Sequence, residues 1–329
     1  MTAETLFEKF RQQKILVLGD VMIDAYLEGK VSRMSPEAPV PIVDFTSREE
    51  RLGGAANVAL NLLSLGAKVV MCSVIGEDSN GETMMQLLRK REISAEGMVQ
   101  SKDRQTTVKT RVIGNHQQLL RVDQEQTNDI SKTEEDKLLA NIELLLKNGC
   151  DAVILEDYNK GVLTERVITE TLRLANKFGV PTTVDPKLKN FFAYKGATLF
   201  KPNLKELQEG LSRYFPITNR ELFEDAVNEL CNRIQCNYLL VTLSEHGVFV
   251  KKDDQQHYIP AHVRNIADVS GAGDTVISVA TLCLVAGLGA DKIAEIANLA
   301  GGIVCEEPGV VAIRSEKLLS EIQKLKIEC

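Results

Sequence analysis

Short apolar runs alternate with amphipathic segments along most of this chain. Continuous apolar runs bounded by polar or turn residues indicate buried strands, and apolar positions spaced three and four apart indicate helices. The predicted strands are 14–19, 68–75, 152–156, 181–185, 197–200 and 238–243. The predicted helices are 53–65, 133–148, 164–178, 219–234, 272–288 and 291–305. This alternation predicts an α/β fold with a doubly wound, mostly parallel sheet.

Two segments, at roughly 25–46 and 106–123, do not fit the alternation of strands and helices. In them apolar and polar residues alternate with the period of a strand. In the second, Val108, Thr110 and Val112 precede a predicted turn at Gly114-Asn115, and Leu119 and Arg121 follow it. We expect a small antiparallel β lid within one main domain spanning 1–329. One lid face would be free to cover a ligand or a partner subunit, which favours a homodimer.

Composition narrows the class of protein. The 329 residues are 44% hydrophobic and 26% charged, with a net charge of −7 and no basic run, which excludes an extended nucleic-acid or anionic-membrane surface. Residues 1–14 lack the layout of a signal peptide, and no apolar run reaches membrane-spanning length. The seven cysteines, at 72, 150, 231, 236, 283, 305 and 329, fit reduced thiols. We expect a cytoplasmic protein that captures an anionic substrate locally.

The segment 268–275, Asp-Val-Ser-Gly-Ala-Gly-Asp-Thr, leads into an apolar helix and is the strongest candidate for chemistry. The backbone amides of Gly271, Ala272 and Gly273 can hold an anion at the helix N-terminus. Asp274 beside them would repel that anion unless it serves as a general base, so the pattern predicts phosphoryl transfer to a hydroxyl. A capped helix entered through a glycine turn is the structural alternative.

The sequence does not match two other known phosphate-binding motifs. The glycines of 271–273 are not followed by the third glycine of a dinucleotide fingerprint, because residue 276 is valine. Residues 76–81 have the glycine spacing of a P-loop, but Glu82 stands where the phosphate-binding lysine is required.

Over nearly its whole length the chain resembles the ribokinase-like (PfkB) carbohydrate kinases. The resemblance rests on four motifs in sequence order. They are Gly53-Gly54 with Asn57, Lys201-Pro-Asn203-Leu-Lys-Glu206, Val241-Thr-Leu-Ser-Glu-His-Gly247, and Asp268-Val-Ser-Gly-Ala-Gly-Asp274-Thr. It implies an ATP-dependent sugar kinase that uses Mg²⁺.

The resemblance also implies roles for individual residues. Asp274 would accept the proton of the sugar hydroxyl, and Asn203 and Glu206, one helical turn apart, would order water around Mg²⁺. Substrate binding would involve Asp24, Gly53, Gly54, Asn57, Arg111, Asp157, Lys160 and Lys187. ATP binding would involve Asn203, Leu204, Lys205, Glu206, Thr242, Ser244, Gly247 and Asn298. Asp268 and Ser270 resemble positions that bind a monovalent cation such as K⁺ in some relatives.

Within that family, four segments are most similar to the D-glycero-D-manno-heptose 7-phosphate kinases: 19–24, 31–41, 157–161 and 185–187. That similarity implies transfer of the γ-phosphoryl of ATP to the anomeric C1 hydroxyl, giving heptose 1,7-bisphosphate for lipopolysaccharide synthesis. The distal phosphate needs cations, and the candidates are Arg33, Lys109, Arg111, Arg121, Lys160 and Lys187, of which Arg111, Lys160 and Lys187 are favoured.

Many such kinases are fused to a C-terminal adenylyltransferase, whereas this chain stops at Cys329, so the expectation is a stand-alone kinase. Glu156 and Lys201 depart from the family pattern and bear on the shape of the sugar pocket. The alternatives are the same chemistry on another sugar or sugar phosphate, and a silent sugar-binding protein. The presence of Asp274, Asn203 and Glu206 together argues against the silent binder, which needs none of them.

Overall fold

The computed structural model describes residues 1–262 and 264–328. The helices are α1 Ala3–Gln12, α2 Ala55–Ser64, α3 Ser79–Lys90, α4 Lys132–Lys147, α5 Glu165–Lys177, α6 Leu204–Leu211, α7 Arg220–Ile234, α8 Ala272–Val285, α9 Ala290–Val304 and α10 Ser315–Leu325. The strands are β1 Lys14–Gly19, β2 Val21–Met34, β3 Pro41–Gly54, β4 Lys68–Gly76, β5 Ser94–Ser101, β6 Val108–Gly114, β7 Gln117–Gln124, β8 Ala152–Glu156, β9 Thr182–Asp185, β10 Leu199–Phe200, β11 Tyr238–Thr242, β12 Val248–Lys252 and β13 Gln255–Ile259.

The main sheet has nine strands in the order β13-β12-β11-β10-β9-β8-β1-β4-β5. All neighbours are parallel except the β11–β12 and β12–β13 pairs, which form an antiparallel edge. The predicted α/β, doubly wound, mostly parallel sheet is therefore confirmed. A parallel sheet is buried on both faces, which is why β1 and β8 are apolar runs rather than alternating ones.

Helices cover both faces of this sheet and create two apolar cores. One core joins the sheet to α1, α2, α3, α8, α9 and α10. The other joins it to α4, α5, α6 and α7. Helix α8 is buried from Asp274 to Cys283, and it is accordingly apolar around most of its circumference.

The predicted lid is a four-stranded sheet in the order β3-β2-β6-β7. The prediction that it is wholly antiparallel was wrong, because β2 and β6 pair in parallel and the sheet is mixed. β2 and β6 are joined through the main sheet rather than by a hairpin, which allows the parallel pairing. The turn between β6 and β7 lies at Asn115 and His116, both with positive φ, one residue after the predicted position.

That shift of the turn changes which side chains share a lid face. Val112 pairs with Leu120 and Thr110 with Val122, so Leu120 and Val122, rather than Leu119 and Arg121, continue the apolar face. Arg121 instead pairs with Arg111 on the opposite, charged face. The apolar face is exposed, with Leu120 51% and Val122 54% accessible.

The cysteines that the structure describes are all reduced thiols. Cys72, Cys150, Cys283 and Cys305 are buried, and Cys231 and Cys236 are half-buried. The seventh, Cys329, lies outside the described residues. Among the described residues, no helix combines the length and the apolar character needed to cross a membrane.

Candidate active site

The carboxyl ends of four neighbouring strands bring acidic and basic side chains to one edge of the sheet. Asp20 follows β1, Glu156 ends β8, Asp185 ends β9 and Lys201 follows β10. The register places Glu156 directly between Gly19 and Asp185. The N-terminus of α8 meets this edge, so the predicted catalytic segment 268–275 lies at the strand ends, where ligands bind in open α/β sheets.

Asp274, the third residue of α8, is buried at the centre of the site. The Asn57 side-chain amide donates to its Oδ2 at 2.6 Å, and the Tyr158 hydroxyl donates to its Oδ1 at 2.8 Å. Burial raises the pKa of Asp274 to about 6, and the negative charge of Asp185 adds to this, whereas the two hydrogen bonds and Lys201 oppose it. The carboxylate is thus held by neutral donors and can take up a proton near neutral pH.

The glycines before Asp274 let the backbone approach this group closely. Gly271 is the N-cap of α8 with φ +80°, and a Cβ there would lie 3.1 Å from Asn57 Nδ2. A Cβ on Gly273 would lie 3.6 Å from Asp185 Oδ2 and 3.7 Å from Lys201 Nζ, so this glycine faces the ion pair between these two side chains. The Ala272 amide donates to the Val269 carbonyl at 3.3 Å within the turn. Among the described residues no side chain caps α8, so a side-chain cap does not explain this segment.

Two lysines, the buried Lys201 and the partly exposed Lys187, neutralise part of the acidic edge. Lys201 Nζ lies 2.8 Å from Asp185 Oδ2, with both side chains almost fully buried. Lys187 pairs with Glu206. Burial alone would lower the pKa of each lysine, but their carboxylate partners hold both pKa values above the ordinary range, so both remain charged.

The predicted sugar-binding residues meet at the start of the lid. Asp24 on β2 is buried and accepts a hydrogen bond from Arg111 Nη1 at 2.5 Å. A Cβ on Gly53 would lie 2.3 Å from Asp24 Oδ2, which explains the requirement for glycine. Gly54 has φ +59° as the N-cap of α2, which carries Asn57 into the site. Gly53 and Arg111 therefore lie against Asp24, and Gly54 begins the helix that carries Asn57. That these residues bind the sugar stays a prediction.

The loop 157–161 occupies the space between the lid and the sheet edge. Buried Asp20 accepts backbone hydrogen bonds from Tyr158, Lys160 and Val162, each at 3.0 Å. Asp157 accepts hydrogen bonds from the Asn159 amide at 2.7 Å and the Tyr194 hydroxyl at 2.8 Å. Both Asp157 oxygens are therefore used within the protein, which favours a role in fixing the loop over direct sugar binding.

Charged residues connect that loop to the lid. Lys160 Nζ lies 2.7 Å from Glu125 Oε1, and Lys109 Nζ lies 3.2 Å from Glu125 Oε2. Lys187, by contrast, pairs with Glu206 of α6 and so lies on the nucleotide side. Of the three favoured phosphate-binding cations, only Arg111 and Lys160 face the lid.

The predicted nucleotide-binding residues lie at the ends of β10 and β11. Asn203 and Glu206 form a capping box at the start of α6, where each side chain accepts the other's backbone amide, at 2.8 and 2.9 Å. Leu204 and Lys205 form the first turn of this helix, and Lys205 is exposed. Asn203 forms a β-bridge with Thr242.

Further predicted nucleotide contacts lie in the turn after β11 and on α9. Ser244 has φ +53°, and Gly247 has φ +89° with no room for a Cβ, which would fall 2.1 Å from the Ile259 carbonyl oxygen. Asn298 of α9 donates to the Pro260 carbonyl at 2.9 Å. This bond ties the helix to the chain that follows β13.

The proposed cation-binding residues lie just before α8. Asp268 accepts hydrogen bonds from the Ser270 amide at 2.9 Å and the Gly309 amide at 3.1 Å. Asp268 therefore holds the glycine loop against the chain that follows α9.

Four residues at the centre of the site were not assigned roles from the sequence: Tyr158, Glu156, Asp185 and Lys201. Glu156, Asp185 and Lys201 stand where apolar strands end, a position that attracts ligands in parallel sheets. Tyr158 does not stand at a strand end and so could not be identified in this way. It contacts Asp274 because Asp20 fixes the loop that carries it.

Comparison with known proteins places the chain in a family. Residues 12–317 match the pfkB family of carbohydrate kinases. The chain belongs to this family. This match confirms the predicted resemblance. At the level of the pfkB family, it also confirms the prediction of an ATP-dependent sugar kinase.

Its relatives within the pfkB family include proteins named bifunctional protein HldE. The HldE of Pelobacter propionicus is 36% identical over 97% of this chain and 65% of its own length. That of Geotalea uraniireducens is 39% identical over 97% of this chain and 65% of its own length. The chain thus spans 65% of the length of these curated relatives.

Solved structures of pfkB-type kinases share the fold. A structure of phosphofructokinase-2 from Escherichia coli in complex with potassium superposes with a TM-score of 0.78 at 19% identity, covering 95% of this chain and 99% of that one. A putative ribokinase from Agrobacterium tumefaciens superposes with a TM-score of 0.72 at 17% identity, covering 96% and 99%. At these identities the likeness concerns the fold.

Proposed function

We propose that this chain transfers the γ-phosphoryl group of ATP to the anomeric C1 hydroxyl of D-glycero-D-manno-heptose 7-phosphate, in the synthesis of the lipopolysaccharide heptose precursor. The observation that carries the proposal is the buried Asp274, held by Asn57 and Tyr158 at a helix N-terminus between the lid and the nucleotide side. The similarity to HldE proteins and the heptose-kinase-like segments support the choice of sugar.

In this proposal Asp274 accepts the proton of the C1 hydroxyl as the oxygen attacks. Gly271, Ala272 and Gly273 line the space for the transferring group, and the Lys201 ammonium beside Gly273 adds a positive charge there. Phosphoryl transfer depends mostly on positioning and charge stabilisation, so one carboxylate with a few oriented donors and a cation suffices.

Mg²⁺ fits the acidic edge of the site. In this proposal Asn203 and Glu206, whose side-chain oxygens also accept each other's backbone amides, order water around the ion, and Asp185 and Glu156 offer carboxylates nearby. Hard oxygen ligands in small number suit Mg²⁺, which keeps several waters. When bound with ATP, the ion neutralises phosphate charge. Lys187 beside Glu206 supplies a further charge for the nucleotide phosphates.

For the 7-phosphate we propose Arg111 and Lys160, with Lys109 beside them. Their side chains are 19%, 16% and 15% exposed, and each is held by a carboxylate, Asp24 or Glu125. A charged lid face bordering the sugar site is the place where a phosphate distant from C1 would be held.

Two accessory properties complete the proposal. Asp268 and Ser270 would border a K⁺ site beside the glycine loop, in line with the potassium complex of the similar phosphofructokinase-2. The exposed apolar lid face, with Leu120 and Val122, would pair with the same face of a second copy, forming a homodimer.

The test is turnover of Mg-ATP with heptose 7-phosphate and a panel of other sugars and sugar phosphates, followed by ADP release and product mass. We expect selective formation of heptose 1,7-bisphosphate, and Asp274→Asn should lower kcat by about 10²- to 10⁴-fold with ATP binding retained. Asp254→Asn, in the exposed β12–β13 turn, is the control. Turnover of another sugar would replace the heptose assignment, and binding without turnover would identify a silent binder.

A further inference from the structure

Two cysteines meet at the carboxyl end of α7, away from the candidate active site. Cys231 lies in the last turn of the helix, and Cys236 follows the helix, two residues before β11 begins. The candidate site gathers at the carboxyl ends of the parallel strands, whereas this pair lies at the amino end of β11. The proposed kinase reaction therefore does not use these two thiols.

The geometry of the helix end brings the two side chains together. Gln235 has φ +56°, in the left-handed region, and its amide donates to the Cys231 carbonyl at 2.8 Å. The chain therefore folds back over the last turn of the helix. At such helix ends the side chain two residues beyond the helix contacts the side chain three residues before its last residue. These two positions are Cys236 and Cys231, and the Cys236 thiol donates a hydrogen bond to the Cys231 sulfur.

The surroundings of the two sulfur atoms differ. The hydrogen bond from Cys236 lowers the pKa of Cys231, and the Lys251 ammonium lowers it too, against the effect of burial. Lys251 is held beside the helix because its Nζ donates at 2.8 Å to Oδ1 of Asn228, which lies one turn before Cys231. The same contact between the thiols, together with burial, raises the pKa of Cys236. Cys231 is thus the nucleophilic sulfur, and Cys236 is a protonated thiol beside it.

Other cysteines of the chain have a different environment. Cys72, Cys150 and Cys305 are buried, and burial raises the pKa of each. Cys231 and Cys236 are half-buried, so a small molecule can reach them. If the pair only filled the end of the helix, two apolar side chains would serve equally well. An acidified, accessible thiol beside a second thiol is instead the arrangement of cysteines that react with oxidants.

We propose that Cys231 and Cys236 form a reversible oxidation site for hydrogen peroxide. The Cys231 thiolate attacks one peroxide oxygen, the O–O bond breaks and hydroxide leaves, which gives a sulfenic acid on Cys231 and transfers two electrons to the peroxide. The Cys236 sulfur then attacks the Cys231 sulfur. The S–S bond forms, the S–O bond breaks, and the leaving hydroxide takes the Cys236 proton and departs as water. A dithiol reductant restores both thiols.

The experiment treats the intact, reduced protein with hydrogen peroxide, blocks the remaining thiols with N-ethylmaleimide and locates the modified cysteines by mass spectrometry of tryptic peptides. Arg233 lies between the two cysteines, so trypsin separates them unless a disulfide joins them. We expect a linked pair of peptides that dithiothreitol separates. In Cys236→Ser the sulfenic acid should persist on Cys231, where dimedone traps it, and Cys231→Ser should form neither product. Cys150→Ser is the matched control and should oxidise like the wild-type protein.

A second measurement uses only the wild-type protein and so does not depend on how the variants fold. With limiting iodoacetamide at pH 7, Cys231 should be alkylated at least about tenfold faster than the equally half-buried Cys236. Equal alkylation rates, or peroxide treatment that leaves both cysteines reduced or oxidises Cys231 without the link to Cys236, would overturn the proposal. The outcome is independent of the proposed kinase reaction, because none of these residues belongs to that site.

Discussion

Removing the Tyr158 hydroxyl should change the pH at which the enzyme becomes active. The phenol donates to Asp274 Oδ1 at 2.8 Å, and burial beside Asp274 raises the Tyr158 pKa well above its ordinary value, so it stays a donor at neutral pH. This hydrogen bond stabilises the ionised form of Asp274, so it is one of the contacts that keep the pKa at about 6 despite burial. In Tyr158→Phe the Asp274 pKa should rise further.

The size of the shift follows from the strength of one hydrogen bond to a charged group. Such a bond contributes about 1.5–3 kcal/mol, and one pKa unit corresponds to about 1.4 kcal/mol. The Asp274 pKa should therefore rise by about 1–2 units. At pH 7 the ionised fraction would fall from about nine-tenths to between about a half and a tenth. The loss should be larger at pH 6 and should largely disappear by about pH 9.

The assay is kcat/KM for the sugar as a function of pH, since its acidic limb reports groups of the free enzyme, in which Tyr158 donates to Asp274. Tyr194→Phe is the matched control, because it removes a phenol that donates to Asp157 at 2.8 Å and not to Asp274. The acidic limb should move only in Tyr158→Phe. If a stably folded Tyr158→Phe variant has the same acidic limb as the wild-type protein, Tyr158 does not control the pKa of Asp274 and the assignment is refuted.

The remaining predictions concern the sugar side and the lid. Gly53→Ala would put a Cβ 2.3 Å from Asp24 Oδ2 and displace that carboxylate. In steady-state kinetics the KM for the sugar should therefore rise more than the KM for ATP. An equal change in both KM values would contradict a sugar role for Asp24. Charged substitutions of the lid, Leu120→Glu with Val122→Glu, should convert the proposed homodimer to a monomer in sedimentation, whereas Gln117→Glu in the same strand should not. A monomeric wild-type protein would refute the proposed lid interface.

Most of the main sheet could be predicted from sequence because buried parallel strands carry a strong apolar signal. Helix α4 was predicted at 133–148 and lies at Lys132–Lys147, and helix α5 was predicted at 164–178 and lies at Glu165–Lys177. Strand β10 was predicted over four residues but pairs only at Leu199–Phe200. The weaker elements went unpredicted: α1, α3, α10, β5, β12 and β13. Their polar faces are exposed, so the signal depends on tertiary packing.

The site was predictable where one short motif supplies several groups. The segment 268–275 identified Asp274 and the glycines before it as candidate site residues. The start of α2 was identified from Gly53, Gly54 and Asn57. Its electrostatics were not predictable, because they come from pairs distant in sequence. Lys201 and Asp185 meet because β9 and β10 are adjacent, and Tyr158 meets Asp274 because Asp20 gathers three amides of the loop 157–161.

The two sides of the site differ in how firmly they are held. Asp274, Asp185 and Lys201 are buried at strand ends and a helix N-terminus, so their positions depend on the main core. Arg111, on the other hand, is a partly exposed residue on a lid strand, held by an ion pair and by the Tyr26 ring 5.3 Å away. Substitutions on the lid can therefore alter which sugar phosphate is bound without disturbing the base. We therefore expect substitutions on the lid to change which substrate is used, and substitutions at the sheet edge to abolish proton transfer.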